Sequence, residues 1–458
     1  VSEWAQCLLM EVILKKKMNS NQFIIAGFIL IILAGAILLT MPFASRSGTS
    51  NGFLTALFTA TSATCVTGLS LGDTFTQWNL FGQIVILILI EVGGLGFISI
   101  ASMFIFALNK KIAFTPSLLM AQSVGTEDLD GATRVQKKVL IGSALVQISG
   151  MILLFCRFLF QYDVGTSLYL ALFHSVSAFC NAGFDIMGFI EPGTSLISYQ
   201  NDPYVLIVIS LLIIIGGIGF VVWDDLTSGK SPKKWEPYTK LILIATSILI
   251  FGGAIIFLIF EFNNPNTIGN MSFGNKIVNA YFQSVTTRTA GFAAIDQGSM
   301  QEESKILSIL LMFIGGVYGS TAGGLKVATF IVVVLFFFAR IRGKSTINVM
   351  NRRVPNSHAM NALGLFLGMF LLSLIGTIVI CQTSELSFMD SIFECVSALA
   401  TVGLATIDTA TVGIVGELIL IVFMFFGRIG LLTISMGFLQ GVSDKEDYQY
   451  PEINMPIG

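Results

Sequence analysis

Four stretches of this 458-residue chain share a pattern that bears on chemistry: FTATSATCVTGL (58–69), FHSVSAFCNAGF (173–184), FQSVTTRTAGF (282–292) and FECVSALATVGL (393–404). Each runs from a phenylalanine through small and hydroxyl residues to a glycine. The glycines, Gly68, Gly183, Gly291 and Gly403, are 115, 108 and 112 residues apart. These residues are poorly equipped for acid, base or nucleophilic work, so the chemistry on offer belongs to the main chain. Glycine permits backbone angles that turn carbonyls toward a common axis and lets strands approach closely. Rings of carbonyl oxygens replace the hydration shell of K⁺. The candidate ion ligands are therefore backbone oxygens of Cys65, Val66, Thr67 and Gly68; Cys180, Asn181, Ala182 and Gly183; Arg288, Thr289, Ala290 and Gly291; and Ala400, Thr401, Val402 and Gly403. One such glycine alone would read as a tight turn. Four in register read as an internal duplication around one path. The third copy is one residue shorter between its Phe and its Gly, which predicts a different helix-to-loop turn.

A second motif repeats in phase downstream: GGLGF (93–97), GGIGF (216–220), GGVYGS (315–320) and GRIGL (427–431). In the third copy it extends to GGVYGSTAGGLK (315–326), with Gly315, Gly316, Gly319, Gly323 and Gly324 together with Ser320, Thr321 and Lys326. Glycine costs about 1 kcal/mol per residue against alanine inside a helix, so five of them predict a break near mid-membrane. A broken backbone there must face a cavity, since lipid cannot satisfy its polar groups. That makes the stretch a candidate gate. Arg428 occupies the position held by Gly94, Gly217 and Gly316 in the other copies. An arginine at that depth needs water or a partner, and the loop carbonyls are its expected acceptors. Arg288, inside the third stretch, is expected to point away from the axis and pair with Glu394 as filter support, because an unpaired buried charge is costly. Asp73, Asp296 and Asp408, each five residues beyond its glycine, are expected to make the outer mouth negative.

The elements that must position these residues are membrane helices. The chain is 54% hydrophobic and 11% charged, whereas a soluble domain carries about 25% charged residues. Its net charge of −2 argues against electrostatic nucleic-acid binding. Six cysteines in no CxxC spacing and two histidines support neither a zinc site nor a disulfide framework. Apolar runs at 20–42, 79–108, 138–160, 203–223, 238–260, 305–338, 360–381 and 413–439 approach or exceed the ~20 residues needed to span a bilayer. The shorter apolar stretch within each pair fits a re-entrant helix. Lysine and arginine concentrate between the repeats, which puts those loops and both termini in the cytoplasm and makes all four copies parallel. The expected fold is an all-α polytopic membrane protein of four tandem helix–pore loop–helix repeats around one pseudo-fourfold pore. The repeats span 18–111, 112–229, 230–345 and 346–442, with a cytoplasmic tail at 443–458. Residues 1–17 read as an added or upstream remnant before a natural start at Met18. A cleaved signal peptide fits them less well, because their positive charge follows the apolar stretch.

The motifs TGL, NAGF, TTRTAGF and TVGL, with GGxGF and GGVYGSTAGGLK, resemble the Trk/Ktr/HKT superfamily of K⁺ transport proteins, and in length the bacterial Ktr-type membrane subunit. The resemblance covers essentially everything after Met18. It implies a channel-like K⁺ uptake protein of the cell membrane, with Na⁺ as an activator, a homodimer with one pore per subunit, and a cytosolic nucleotide-binding RCK/KTN-type regulatory ring. It also implies an intramembrane gating loop at 315–326. Each loop carries one glycine, a simpler filter than the TVGYG of K⁺ channels. The alternative from another class is an ion-coupled secondary cation transporter working by alternating access. An enzyme is not expected: the chain has no HExxH, and GSTAGGLK (319–326) lacks the Lys directly after its second glycine that a Walker loop requires.

Overall fold

The computed structural model describes residues 20–96 and 129–439. The leader at 1–17, the basic residues Lys110 and Lys111, the boundary at 111/112 and the tail at 443–458 lie outside them. Five described helices are long and apolar enough to cross a membrane, or six if one bent pair counts as a span. Their outward faces present large apolar side chains such as Leu30, Leu145, Ile248, Ile259 and Ile378. A contiguous exposed apolar belt of this kind marks contact with lipid. The fold is an all-α polytopic membrane protein, apart from one small hairpin.

Each copy opens with a long helix: α1 (Ser20–Thr40), α4 (Leu129–Phe158), α8 (Pro237–Glu261) and α12 (Asn356–Thr383). A short helix follows: α2 (Phe53–Cys65), α5 (Val164–Phe179), α9 (Phe273–Thr286) and α13 (Phe388–Leu399). At 12 to 16 residues these do not cross a bilayer. Three begin at side-chain caps, where Asp163, Ser272 and Ser387 accept the N–H of Thr166, Asn275 and Asp390. From the phenylalanine onward they are buried, with Phe58, Phe173, Phe282 and Phe393 fully enclosed.

The second helices are α3 (Leu80–Leu95), α6 (Pro203–Gly217) with α7 (Phe220–Leu226), α10 (Glu302–Phe313) with α11 (Val327–Ile341), and α14 (Gly413–Ile429) with α15 (Leu431–Leu439). The sequence led us to expect a break in the third copy alone, but every described second helix ends at its glycine motif. Gly96, Gly219 and Gly430 adopt nearly one conformation, with φ of 82, 91 and 90° and ψ of 136, 140 and 135°. Positive φ stops the helix at the motif's fourth position. The hydropathy of 203–223 and 413–439 continues on both sides of the stop and so conceals it. In the second copy the chain turns by 98° there. Between α11 and α12, β1 (Ile347–Val349) pairs antiparallel with β2 (Arg352–Val354). Met350 and Asn351, at φ of 45° and 62°, close a two-residue turn.

Candidate functional site: a closed ring of four glycine turns

The four glycines meet. A Cβ built on Gly68 would lie 2.5 Å from the Ala182 oxygen, and one on Gly183 would lie 2.8 Å from the Ala290 oxygen. One on Gly291 would strike the Val402 oxygen, and one on Gly403 the Thr67 oxygen. The contacts run from first copy to second, third, fourth and back to the first, so the ring closes. Only a residue without Cβ fits at any of the four positions. The side chains of Val66, Thr67, Ala182, Ala290 and Val402 are buried in the protein.

Backbone hand alternates along each turn. Val66, Asn181, Thr289 and Thr401 have φ of 58, 58, 68 and 52°, and the glycine two residues on is again positive at 94, 69, 80 and 93°. Alternating hand turns successive carbonyls to one side, whereas an extended strand would point them to opposite sides. Four non-glycine residues in this sparsely populated region store strain that the surrounding packing must hold.

Hydroxyls on the short helices do the holding. Ser62 and Ser397 accept the N–H of Gly68 and Gly403, each at 3.1 Å. Ser177 and Thr286 donate to the carbonyls of Phe184 and Phe292, each at 2.7 Å. In three copies the hydroxyl stands six residues before the glycine, and in the third it stands five before, because that copy is one residue shorter between its Phe and its Gly. The shorter third copy thus turns differently, as its spacing predicts. These supporting hydroxyls were not singled out from sequence, although their constant place four residues after each phenylalanine was present in it.

Below the ring, the first glycine of the motif packs the second helix onto the end of a short helix in three of the four copies. Gly93 faces the Thr64 carbonyl, Gly216 that of Phe179 and Gly427 that of Leu399. Gly315 faces the Gly323 carbonyl of its own loop instead. That loop, 314–326, is ordered: Val317 N–H and Thr321 N–H donate to the carbonyls of Gly217 and Gly216 at 3.2 and 3.3 Å, and Gly324 N–H to Gly427 at 3.3 Å. The Thr321 hydroxyl reaches the Phe179 carbonyl at 3.1 Å. Gly319 accepts from Phe220 N–H at 2.7 Å, Ser320 donates to the Val317 carbonyl at 2.7 Å, and Lys326 donates to Ala322 at 2.8 Å. A cavity of about 560 Å³ lies beneath, lined among others by Gly94, Ser320, Lys326 and Arg428.

Arg428 bridges the loop to the first copy. One guanidinium nitrogen donates to the Thr321 carbonyl; the other donates to the carbonyls of Gly93 and Gly94. The expected pairing of Arg288 with Glu394 is not formed. Arg288 turns back to the Thr246 carbonyl of α8, in its own copy, at 3.4 Å. Glu394 accepts from Thr409, in the segment after the fourth turn, at 3.4 Å. The two side chains address different elements, so neither completes the other. The three aspartates serve as local caps: Asp73 accepts from Thr76 N–H, Asp408 from Ala410 N–H and Asp296 from Gly298 N–H. The second copy carries Gly188 at the matching position, where a Cβ would collide with the Asp73 carboxylate.

Against known proteins, residues 12–445 match the family described as TrkH, cation transport protein. The chain is 38% identical to the potassium/sodium uptake protein NtpJ of Enterococcus hirae, over 97% of this chain and 98% of that one. It is 37% identical to the Ktr system potassium uptake protein B of Bacillus subtilis, over 94% and 95%. Among solved structures it resembles the potassium transporter TrkH of Vibrio parahaemolyticus, with a TM-score of 0.69, 17% identity and coverage of 90% of this chain and 84% of that chain.

Proposed function

Because the chain belongs to the TrkH cation transport family, we propose that it is the pore subunit of a K⁺ uptake system and conducts K⁺ across the cell membrane. The observation that carries this reading is the closed ring of Gly68, Gly183, Gly291 and Gly403. Four turns of alternating hand, sealed by side-chain packing, leave carbonyl oxygens as the ligands of a dehydrated monovalent cation. The relatives named above are a potassium/sodium uptake protein and a potassium uptake protein, and potassium, common to both names, is the favoured cargo.

In this reading the 314–326 loop is the gate and Arg428 its latch. The loop lies directly under the turns, and the guanidinium ties it to a helix of another copy while setting positive charge in the cation's way. The resemblance adds a homodimer with one pore per subunit and an RCK/KTN-type ring on the cytoplasmic face. The exposed Arg352 and Arg353 of the hairpin offer that ring a basic contact. Na⁺ enters as an activator. Ion flux into liposomes tests the reading: K⁺ and Rb⁺ gradients should drive electrical uptake, and a Na⁺ gradient alone much less. Equal K⁺ and Na⁺ flux, or uptake strictly coupled to a second ion, would overturn it in favour of a non-selective pore or an alternating-access transporter.

A further inference from the structure

One carboxyl group behind the filter takes no part in this scheme. Glu91 lies on α3, two residues before Gly93, and its Oε2 accepts from Gln147 Nε2 of α4 at 2.9 Å and from the Cys180 thiol at 3.3 Å. Cys180 caps α5 and opens the second filter turn, and its own N–H is bonded to the Val176 carbonyl at 2.9 Å. Gly94 makes the approach possible, since a Cβ there would stand 2.6 Å from the Cys180 sulfur. None of the ion pairs among the described residues involves Glu91.

Two observations separate this group from an ordinary packing residue. First, the equivalent positions in the other copies are apolar: Ile214, Phe313 and Phe425. The repeat unit therefore folds without a carboxyl group here, and an ionisable group within a membrane is retained at a cost unless it acts. Second, the same stretch of chain, Glu91 to Gly94, holds the second filter turn through Cys180 and holds Arg428 through the carbonyls of Gly93 and Gly94. We propose that Glu91 is a positioning residue that fixes the second filter turn through Cys180 and joins that turn mechanically to the Arg428 latch. The inference rests on the pore reading above. A blander role, a hydrogen-bonded cap for Gln147, would leave Cys180 free of any demand.

The test compares wild-type, Glu91→Leu, Glu91→Gln, Cys180→Ala and the Glu91→Leu/Cys180→Ala double variant as Rb⁺ and Na⁺ fluxes in liposomes, with thermal melting in parallel. Leucine removes the acceptor at similar size, and Cys180→Ala removes the donor with Glu91 intact. Each is expected to lower Rb⁺-over-Na⁺ discrimination by about tenfold, the scale of one hydrogen bond to a carboxylate. Glutamine keeps an acceptor oxygen and is expected to stay within about twofold of wild-type on the same scale. The double variant should be no worse than either single, because both cut one link. Unchanged discrimination in Glu91→Leu and Cys180→Ala, whatever happens to melting, overturns the proposal, as does full additivity in the double variant. If wild-type carries no Rb⁺, the pore reading itself falls; normal wild-type flux with indifferent variants removes only the Glu91 link.

Discussion

At the scale of single residues, Gly291 is the plainest case of sequence dictating a site. Its φ of 80° and the Val402 carbonyl in the place of a Cβ exclude every other residue. Left-handed backbone costs a side-chain-bearing residue about 1–2 kcal/mol, and the obstructing atom is main chain that cannot rotate away. Gly291→Ala is expected to cut K⁺ flux at least about tenfold and to weaken discrimination against Na⁺, measured as paired flux rates. At Asp163, bonds from the Thr166 hydroxyl and N–H hold the carboxyl below the ordinary aspartate range. A depressed folded pKa gives stability that is present above the unfolded value, about 3.9, and lost as pH falls through the folded one. Asp163→Ala should therefore lower the melting temperature at neutral pH, with the difference vanishing in acid. The four glycines that meet were legible because four copies supply their own alignment. The partners of Arg288 and Glu394 were not, because spacing says nothing about which way two side chains on different elements turn.

At the scale of elements, the helix stops and the Arg428 bridge decide how the copies meet. The third stop was readable from five clustered glycines. Those at Gly96, Gly219 and Gly430 were not, since one glycine amid apolar residues looks like close packing until its φ is known. Arg428 was placed on the loop from its depth and its odd match to three glycines, and the hydrogen bond to Thr321 is where that reasoning pointed. Arg428→Ala is expected to raise K⁺ flux, with Arg428→Lys between it and wild-type, because an ammonium keeps the charge and loses the fork that grips two elements at once. Unaltered flux in both would remove the latch. Away from the glycine ring, Glu261 ties the C-terminal end of α8 to its surroundings. One oxygen accepts from Gln301 N–H at 2.9 Å, the other from Asn264 and Thr267 at 2.7 and 2.6 Å. It is buried, so Glu261→Ala strands those donors and should cost about 3 kcal/mol, read as a drop in melting temperature.

At the scale of the whole molecule, four copies of a short pattern have built one object that none could build alone. Each turn's glycine packs against a carbonyl oxygen of the next turn, and the ring closes only because the fourth copy returns to the first. The basic loops between repeats are the reason to expect parallel copies, and the absence of Cβ at four positions lets the ring close. Both were present in the sequence as periodicity and composition. The asymmetries of the ring's surroundings, Arg428, the third loop and Glu91, were visible only as departures from the repeat. The most direct measurement is a map of the protein in Tl⁺ or Rb⁺, recorded alongside a Na⁺-only sample. Heavy-ion density on the axis beside the glycine carbonyls, absent in Na⁺ alone, is the expected result. A protein that transports Tl⁺ yet shows that density elsewhere, with the axis empty, would contradict it.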